Sequence, residues 1–460
     1  MTDTPTAPLL AFYADDFTGA TDVLDALGRA GVRTRLLFRA EADTDADADT
    51  DTGADSPDRV EVIGIAGMSR TMSVAQMDAA LPAMFRALSQ YGAPVIHYKV
   101  CSTFDSSATV GSIGHAAELG SAQLQATRVP VIVGVPALGR YTAFGHLFAR
   151  AAGRSHPVRI DRHPVMSRHP STPMTEADLG VHLRTQTTLP IGLVDCAQVE
   201  AAGDTLTVAP LTGRHLMLID VASEAALAPI GRWLWETALQ EPQFVVGSSG
   251  VEYALLREWD RRGLLTPPDW PDAEPASPIL VVSGSCSPTT ENQIQAAVAA
   301  GFAPIRLDAR AVTGTATQEL WPAEAAAAID ALDAGRSVCV HLGGAGDGYV
   351  HQVDRTLHAS FQRELGAELG SFARRVVERA AVRRLVVCGG DTSGAVAHAF
   401  ELQSAQMLVP TSPGAPTCRT RSAVPSLDGL EIAFKGGQMG QQDYILRVAR
   451  GQSLTNDPRS

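Results

Sequence analysis

Short apolar runs of strand length alternate with helical stretches through the first third of the chain. Leu9–Ala14, Val60–Gly67, Pro94–Val100 and Val129–Val135 are rich in Val and Ile and carry little polar alternation. Such runs predict strands of a parallel sheet covered by helices on both faces. The pattern resumes at Ile279–Ser283, near Ile305, and at Ser337–Leu342 and Arg384–Cys388. Helices are expected from Thr290, over Ala323–Ala334, over roughly Asp354–Ala381 and after Gly394. The predicted fold class is α/β, in two domains, each with a largely parallel sheet flanked by helices.

Two segments interrupt the pattern. Residues 41–58 are acidic and almost free of apolar residues larger than Ala, as a solvated loop would be. Residues 266–278 hold five prolines, which neither continue a helix nor suit a central strand. The expected organisation is an N-terminal domain over 1–265, a Pro-rich linker over 266–278 and a C-terminal domain over 279–460. A chain of 460 residues is long enough for this division.

Composition narrows the partners. A net charge of −13 opposes nucleic acid and anionic membranes, while a few cations could still line a site for an anionic metabolite. No run approaches the ~18 apolar residues of a membrane span. The first residues lack a basic signal-peptide region, and the 6 cysteines form no Cys-x-x-Cys pair, which suits reduced thiols in a cytoplasmic protein.

The candidate chemistry lies in the turns that follow the strands, where ligands of parallel sheets bind. Asp15 and Asp16 end the first strand; either could accept the proton of an attacking hydroxyl, and Asp16 or Thr18 could instead cap the next helix. Arg70 and Lys99 also follow strands and could hold a carboxylate. Arg140 and Arg168 are weaker candidates of that kind. Ser283–Thr290 is a small-residue turn before a helix whose Thr290-to-Gln293 spacing suits a capping box. Val386–Ala395 reads strand, Gly-Gly, acid, hydroxyl, Gly, helix, a sensible phosphate cradle but not a Walker A or dinucleotide motif. Lys435 precedes a glycine turn suited to a triphosphate. His163 and His169 read as structural.

Taken as an ordered set, ADDFTGATDV, SR, YKVCSTFDSS with GSIG, TPMTEADL, SGSCSPTT, CGGDTSGA, PGAP and FKGGQMG resemble the four-carbon acid sugar kinases. The resemblance spans about Leu10 to about Tyr444. It implies a substrate-binding N-terminal domain, a nucleotide-binding C-terminal domain, and an active site in the cleft between them. It also implies ATP with Mg²⁺, and phosphorylation at O4. By the same resemblance Asp16 (with Asp15), Arg70, Lys99, Val100, Cys101 and Ser102 contact the sugar acid. Ser285 or Ser287, Gly389, Gly390, Asp391, Thr392, Gly436 and Gly437 contact ATP, with Lys435 nearby and Asp391 a candidate Mg²⁺ ligand. KGGQMG, where many members read KSGNFG, points to a subgroup and to D-threonate as the expected acid. D-erythronate and 3-oxo-tetronate are the alternatives. A non-catalytic, two-lobed sugar-acid sensor is the competing class, and a homodimer is left open.

Overall fold

A computed structural model describes residues 7–39, 60–151, 154–169, 171–209, 211–266, 270–312, 319–343 and 355–454. The acidic stretch 41–58 therefore lies outside the described residues. Strands in chain order are β1 Leu10–Ala14, β2 Thr34–Leu37, β3 Val62–Ala66, β4 Val95–Lys99, β5 Arg128–Ile132, β6 Arg140–Ala143, β7 His146–Arg150, β8 Pro157–Arg159, β9 Ile191–Val194, β10 His215–Ile219 and β11 Gln243–Gly247. They continue as β12 Leu280–Ser283, β13 Ala303–Arg306, β14 Val338–His341, β15 Arg384–Cys388, β16 Leu402–Val409, β17 Thr417–Ser422 and β18 Glu431–Lys435.

The chain divides into two compact units, Met1–Thr34 with Asp43–Pro267, and Arg35–Ala42 with Pro268–Ser460. In the first unit the strands run β3-β1-β4-β11-β5-β10-β9, with parallel pairing throughout. β1, β4 and β11 are buried along their whole length, which is why they carry apolar runs rather than alternation. Helices Phe17–Arg29, Val74–Gln90, Ile113–Gln123, Leu227–Gln240 and Gly250–Arg261 cover the sheet. Tyr13 stacks on its parallel neighbour Tyr98 at 6.0 Å between ring centroids, and Phe85 packs edge-on against Phe244 at 5.3 Å. A separate antiparallel sheet, β6-β7-β8, follows β5.

The second unit has the strand order β13-β14-β12-β15-β18-β17-β16-β2. β13, β14, β12, β15 and β18 are parallel, and β17, β16 and β2 complete the sheet in antiparallel pairing. The early segment Arg35–Leu37 pairs with Gln406–Ser404 of β16, so a piece of the N-terminal sequence belongs to this unit's sheet. Nothing in the sequence pattern around Thr34–Leu37 separates it from the first unit. Ile279, Val281, Val386, Ala433, Tyr444 and Ile445 form the buried core on one face.

Two helix starts differ from expectation. The helix expected from Thr290 begins at Pro288: Ser287 is its N-cap, accepting from Thr290 N at 3.2 Å. Proline's fixed φ and missing N–H suit the first helical position, which moves the start forward. Gln293 closes no capping box; its amide donates to Met439 O and Gln441 O instead. The helix placed after Gly394 begins at Gly390, because Gly389 turns the chain with φ of 115° and Asp391–Gly394 fall in the first turns.

Candidate active site

In the first sheet the chain runs from β1 to β3 on one side and β4 on the other. The edge beyond their carboxyl ends is a topological switch point, where parallel sheets bind ligands. Ala14, Ala66 and Lys99 end the three strands in register. Backbone bonds fix the turns: Asp15 N donates to Lys99 O at 2.8 Å and Arg70 N to Asp15 O at 3.0 Å.

The side chains then close a charged cluster. Arg70 donates from Nη2 to Asp15 Oδ1 at 3.0 Å and from Nε to Asp15 Oδ2 at 3.3 Å. Its Nη1 lies 3.0 Å from Asp16 Oδ2. Asp16 Oδ1 accepts Gly19 N at 2.7 Å, so Asp16 caps Phe17–Arg29 and also joins the cluster. Lys99 Nζ donates to Gly19 O at 3.4 Å and lies 3.6 Å from Asp22 Oδ2. The Asp15 side chain is 4% exposed and that of Asp16 24%, which leaves Asp16 the more reachable carboxylate.

Burial pushes the Asp15 carboxyl up to about 6, outweighing the pull of Arg70. Burial opposes the charge of Arg70, yet Asp15 and Asp16 hold its guanidinium pKa well above the ordinary value. Lys99 follows the same balance, with Asp22 overcoming burial to raise it.

The segment after β4 is anchored tightly. Val100 N donates to Gly247 O at 2.7 Å, and Thr103 Oγ1 reaches Cys101 Sγ at 2.9 Å and Asp105 Oδ1 at 2.5 Å. The Cys101 thiol is pushed up by burial, and Ser102 is half-buried beside it. Phe104 is fully buried with φ of 56°, a left-handed conformation held by its surroundings. Ser106 Oγ, His182 Nε2 and Gln186 Nε2 lie within 2.9 Å of one another in pairs, and Gln186 Oε1 accepts Gly114 N at 3.1 Å. Sequence reasoning missed His182 and Gln186, because no local motif ties them to a loop so far away in the chain.

Arg140 opens β6, where its Nη1 donates to Leu138 O at 3.0 Å, Gly139 O at 3.5 Å and Arg150 O at 3.4 Å. Arg168 ends a short turn, Met166–Arg168, and forms no ion pair among the described residues. His163 Nδ1 accepts Val165 N and Met166 N, and His169 Nδ1 accepts Thr172 N, which makes both turn-forming residues.

In the second sheet β13 and β14 lie on one side of β12, and β15 and β18 lie on the other, a second switch point. The turns after β12, β15 and β18 meet there. A Cβ on Gly437 would fall 2.6 Å from Ser285 Oγ and 3.5 Å from Ser287 Oγ, so bare backbone is needed for this approach. Ser287 Oγ and Thr290 Oγ1 both donate to Gly437 O, the latter at 2.9 Å. Lys435, 1% exposed, donates from Nζ to Thr290 Oγ1 at 2.8 Å, and burial lowers its pKa. Gly389 N donates to Lys435 O at 2.8 Å, and Gly389, Gly390, Asp391 and Thr392 form the turn and first helical residues. Exposed N–H groups at such a helix start favour an anion. Gly436 follows Lys435 in the turn. Beside it, Ile294, Val298, Pro304, His341 and Gly343 line a hollow of about 380 Å³. A further hollow, bounded by Arg128, His215 and Gln243, lies at the opposite, amino-terminal edge of the first sheet.

No group of three or more His, Cys, Asp or Glu residues among the described ones is arranged to hold a metal ion. Asp391 is the carboxylate in the turn after β15, and Mg²⁺ bound through phosphate oxygens needs only one or two protein carboxylates.

A carboxylate-and-cation edge thus lies at the switch point of one set of parallel strands, and a lysine-backed glycine cradle at that of the other. The comparisons with known proteins place the chain more narrowly. Residues 10–255 match the model of a sugar-binding N-terminal domain, and residues 280–445 that of a nucleotide-binding C-terminal domain. The chain is 41% identical over 459 residues to a 3-oxo-isoapionate kinase of Paraburkholderia graminis, covering 97% of this chain and 95% of the relative. It is 31% identical over 466 residues to a 3-oxo-tetronate kinase of Pseudomonas fluorescens, covering 97% and 98%. The chain belongs to the four-carbon acid sugar kinase family. It is a phosphotransferase acting on a hydroxyl group of a sugar acid. A Salmonella typhimurium structure titled a putative tRNA synthase shares the fold at TM-score 0.72 and 22% identity, covering 96% of this chain and 98% of its own. A Haemophilus influenzae protein does so at TM-score 0.69 and 21% identity, covering 96% and 100%. No described helix is long and apolar enough to cross a membrane.

Proposed function

We propose that the chain transfers the γ-phosphoryl group of ATP to the terminal O4 hydroxyl of a four-carbon 3-oxo acid. The observation that carries the chemistry is that each unit has a switch-point site of its own: Asp16 beside Arg70 and Lys99 in the first, and Ser285, Gly389 and Gly437 backed by Lys435 in the second. The 3-oxo preference is supported by the names of the relatives, 3-oxo-isoapionate kinase and 3-oxo-tetronate kinase. This replaces D-threonate as the first choice, with D-threonate and D-erythronate as the acids to be separated from it.

Phosphoryl transfer needs positioning and charge stabilisation more than covalent chemistry. Asp16 accepts the hydroxyl proton as the oxygen meets phosphorus. Asp15 and Arg70 hold Asp16 in place and set the local charge, and Lys99 with the Val100–Ser102 segment lines the acceptor. The phosphates lie against Ser285 or Ser287, Gly389–Thr392 and Gly436–Gly437, with Lys435 supplying positive charge. The hollow lined by Ile294, Val298 and Pro304 receives the adenine. Asp391 is the carboxylate that would hold Mg²⁺ in this turn, and the ion would supply positive charge against that of the phosphates. Coupled ADP release with 3-oxo-tetronate, D-threonate and D-erythronate tests the reading. Turnover at least tenfold more efficient with the 3-oxo acid supports it, and preference for either hydroxy acid removes the 3-oxo assignment.

A further inference from the structure

A sugar acid brings a carboxylate into an edge that already holds too much negative charge. Asp15, Asp16, Asp22 and Asp105 surround Arg70 and Lys99 there. Arg70 directs Nε, Nη1 and Nη2 at Asp15 and Asp16, so a new carboxylate there would compete with two carboxylates already in place. Lys99 is buried against Asp22 and Gly19 O. Like charges across a site cost binding, so the acid needs a further cation whose donors are not committed.

Arg140 meets that need. It follows the carboxyl end of β5, two strands from Lys99 in the order β4-β11-β5. Cys101 follows β4 and Arg140 follows β5, so both lie beyond carboxyl ends on the same edge of this parallel sheet. The Nη1 of Arg140 is occupied by backbone carbonyls, which fix the plane of the group. Its Nε is buried with no hydrogen-bond acceptor, and no carboxylate pairs with it among the described residues. An unsatisfied buried donor is costly, more so when charged, and a ligand oxygen would offset that cost.

We propose that Arg140 receives the substrate carboxylate, side-on, through the Nε–Nη2 edge of its guanidinium. This rests on the sugar-acid kinase reading and assigns within it the group that distinguishes an acid from a neutral sugar. Arg70 then serves Asp15 and Asp16, and the carboxylate end and the phosphorylated end of the substrate are held by different cations.

The test is steady-state kinetics of wild type, Arg140→Gln and Arg140→Lys with 3-oxo-tetronate and with its primary amide, with ATP-dependent thermal shifts to verify folding. Loss of a charged bidentate contact is expected to raise KM for the acid about 10- to 150-fold in Arg140→Gln. KM for ATP should stay within about threefold, and the wild-type preference for acid over amide should collapse to near unity. Arg140→Lys keeps charge without the fork, so an intermediate rise of about tenfold is expected, with the preference reduced. Unchanged KM and unchanged acid preference in either folded variant overturn the assignment. Wild type that turns over no sugar acid, while still stabilised by ATP, overturns the kinase reading itself and the assignment with it.

Discussion

Arg70 holds Asp15 with both nitrogens of one guanidinium edge, Nη2 to Oδ1 at 3.0 Å and Nε to Oδ2 at 3.3 Å, while its remaining nitrogen reaches Asp16. The carboxyl of Asp15 is nonetheless pushed up to about 6 by burial. The ion pair therefore forms fully only above that pH. The kcat/KM for the sugar acid should fall about tenfold per pH unit below pH ~6, and Asp15→Asn should abolish that limb while lowering the plateau. The sign for stability is opposite to that of an ordinary paired carboxylate. The folded chain binds this proton more tightly than the unfolded chain does, so this group's contribution to stability falls as pH rises from about 4 to about 6.

Asp16 serves as helix cap and as proposed base, and one substitution separates these roles. Asn caps as well as Asp, so Asp16→Asn should leave the melting temperature within a few degrees. Its kcat should drop about 10²- to 10⁴-fold. Unchanged turnover in the folded variant would move the base elsewhere.

Lys435 is buried against Thr290 Oγ1, a position that fixes its ammonium rather than leaving it to solvent. Lys435→Met preserves length and removes charge. The expectation is a rise in KM for ATP of at least about tenfold, the effect of losing one charge-assisted hydrogen bond, with KM for the sugar acid little changed.

Gly389 adopts φ of 115°, and a Cβ there would lie 3.1 Å from Thr392 Oγ1 and 3.5 Å from Ser285 N. Gly389→Ala should cost about 1–3 kcal/mol in backbone strain. Differential scanning calorimetry should also show a smaller thermal shift on adding ATP than in wild type.

Arg384 is fully buried, donating to Glu431 Oε2 at 2.8 Å from Nε and to Val448 O at 2.8 Å from Nη1, which ties β15 to β18 and to the helix Tyr444–Arg450. Glu431→Gln leaves the guanidinium without its counter-charge. Urea unfolding should show a loss of about 3–5 kcal/mol, with KM values of the folded fraction unchanged.

Much of this was legible in the sequence because buried parallel strands announce themselves as apolar runs, and their ends carry the chemistry. Arg384–Cys388 coincides with the predicted strand, and Asp15, Arg70 and Lys99 fall together once β1, β3 and β4 are paired. β2 was invisible because four residues interrupted by an arginine carry too little pattern, and its partner β16 lies hundreds of residues away. The antiparallel β6-β7-β8 sheet is similarly short and half-exposed. Proline at the start of Pro288–Ala299 displaced a cap that spacing alone assigned to Thr290. The commitment of Arg70 to two aspartates, and the uncommitted edge of Arg140, depend on side-chain geometry that no spacing encodes.

The most direct test of the central claim is proton-coupled ³¹P NMR of the reaction of wild type with Mg-ATP and 3-oxo-tetronate. Transfer to the terminal hydroxyl predicts a new phosphomonoester signal, split into a triplet by the adjacent CH₂ and growing in step with ADP. ADP accompanied only by inorganic phosphate, or no ADP at all, would contradict it.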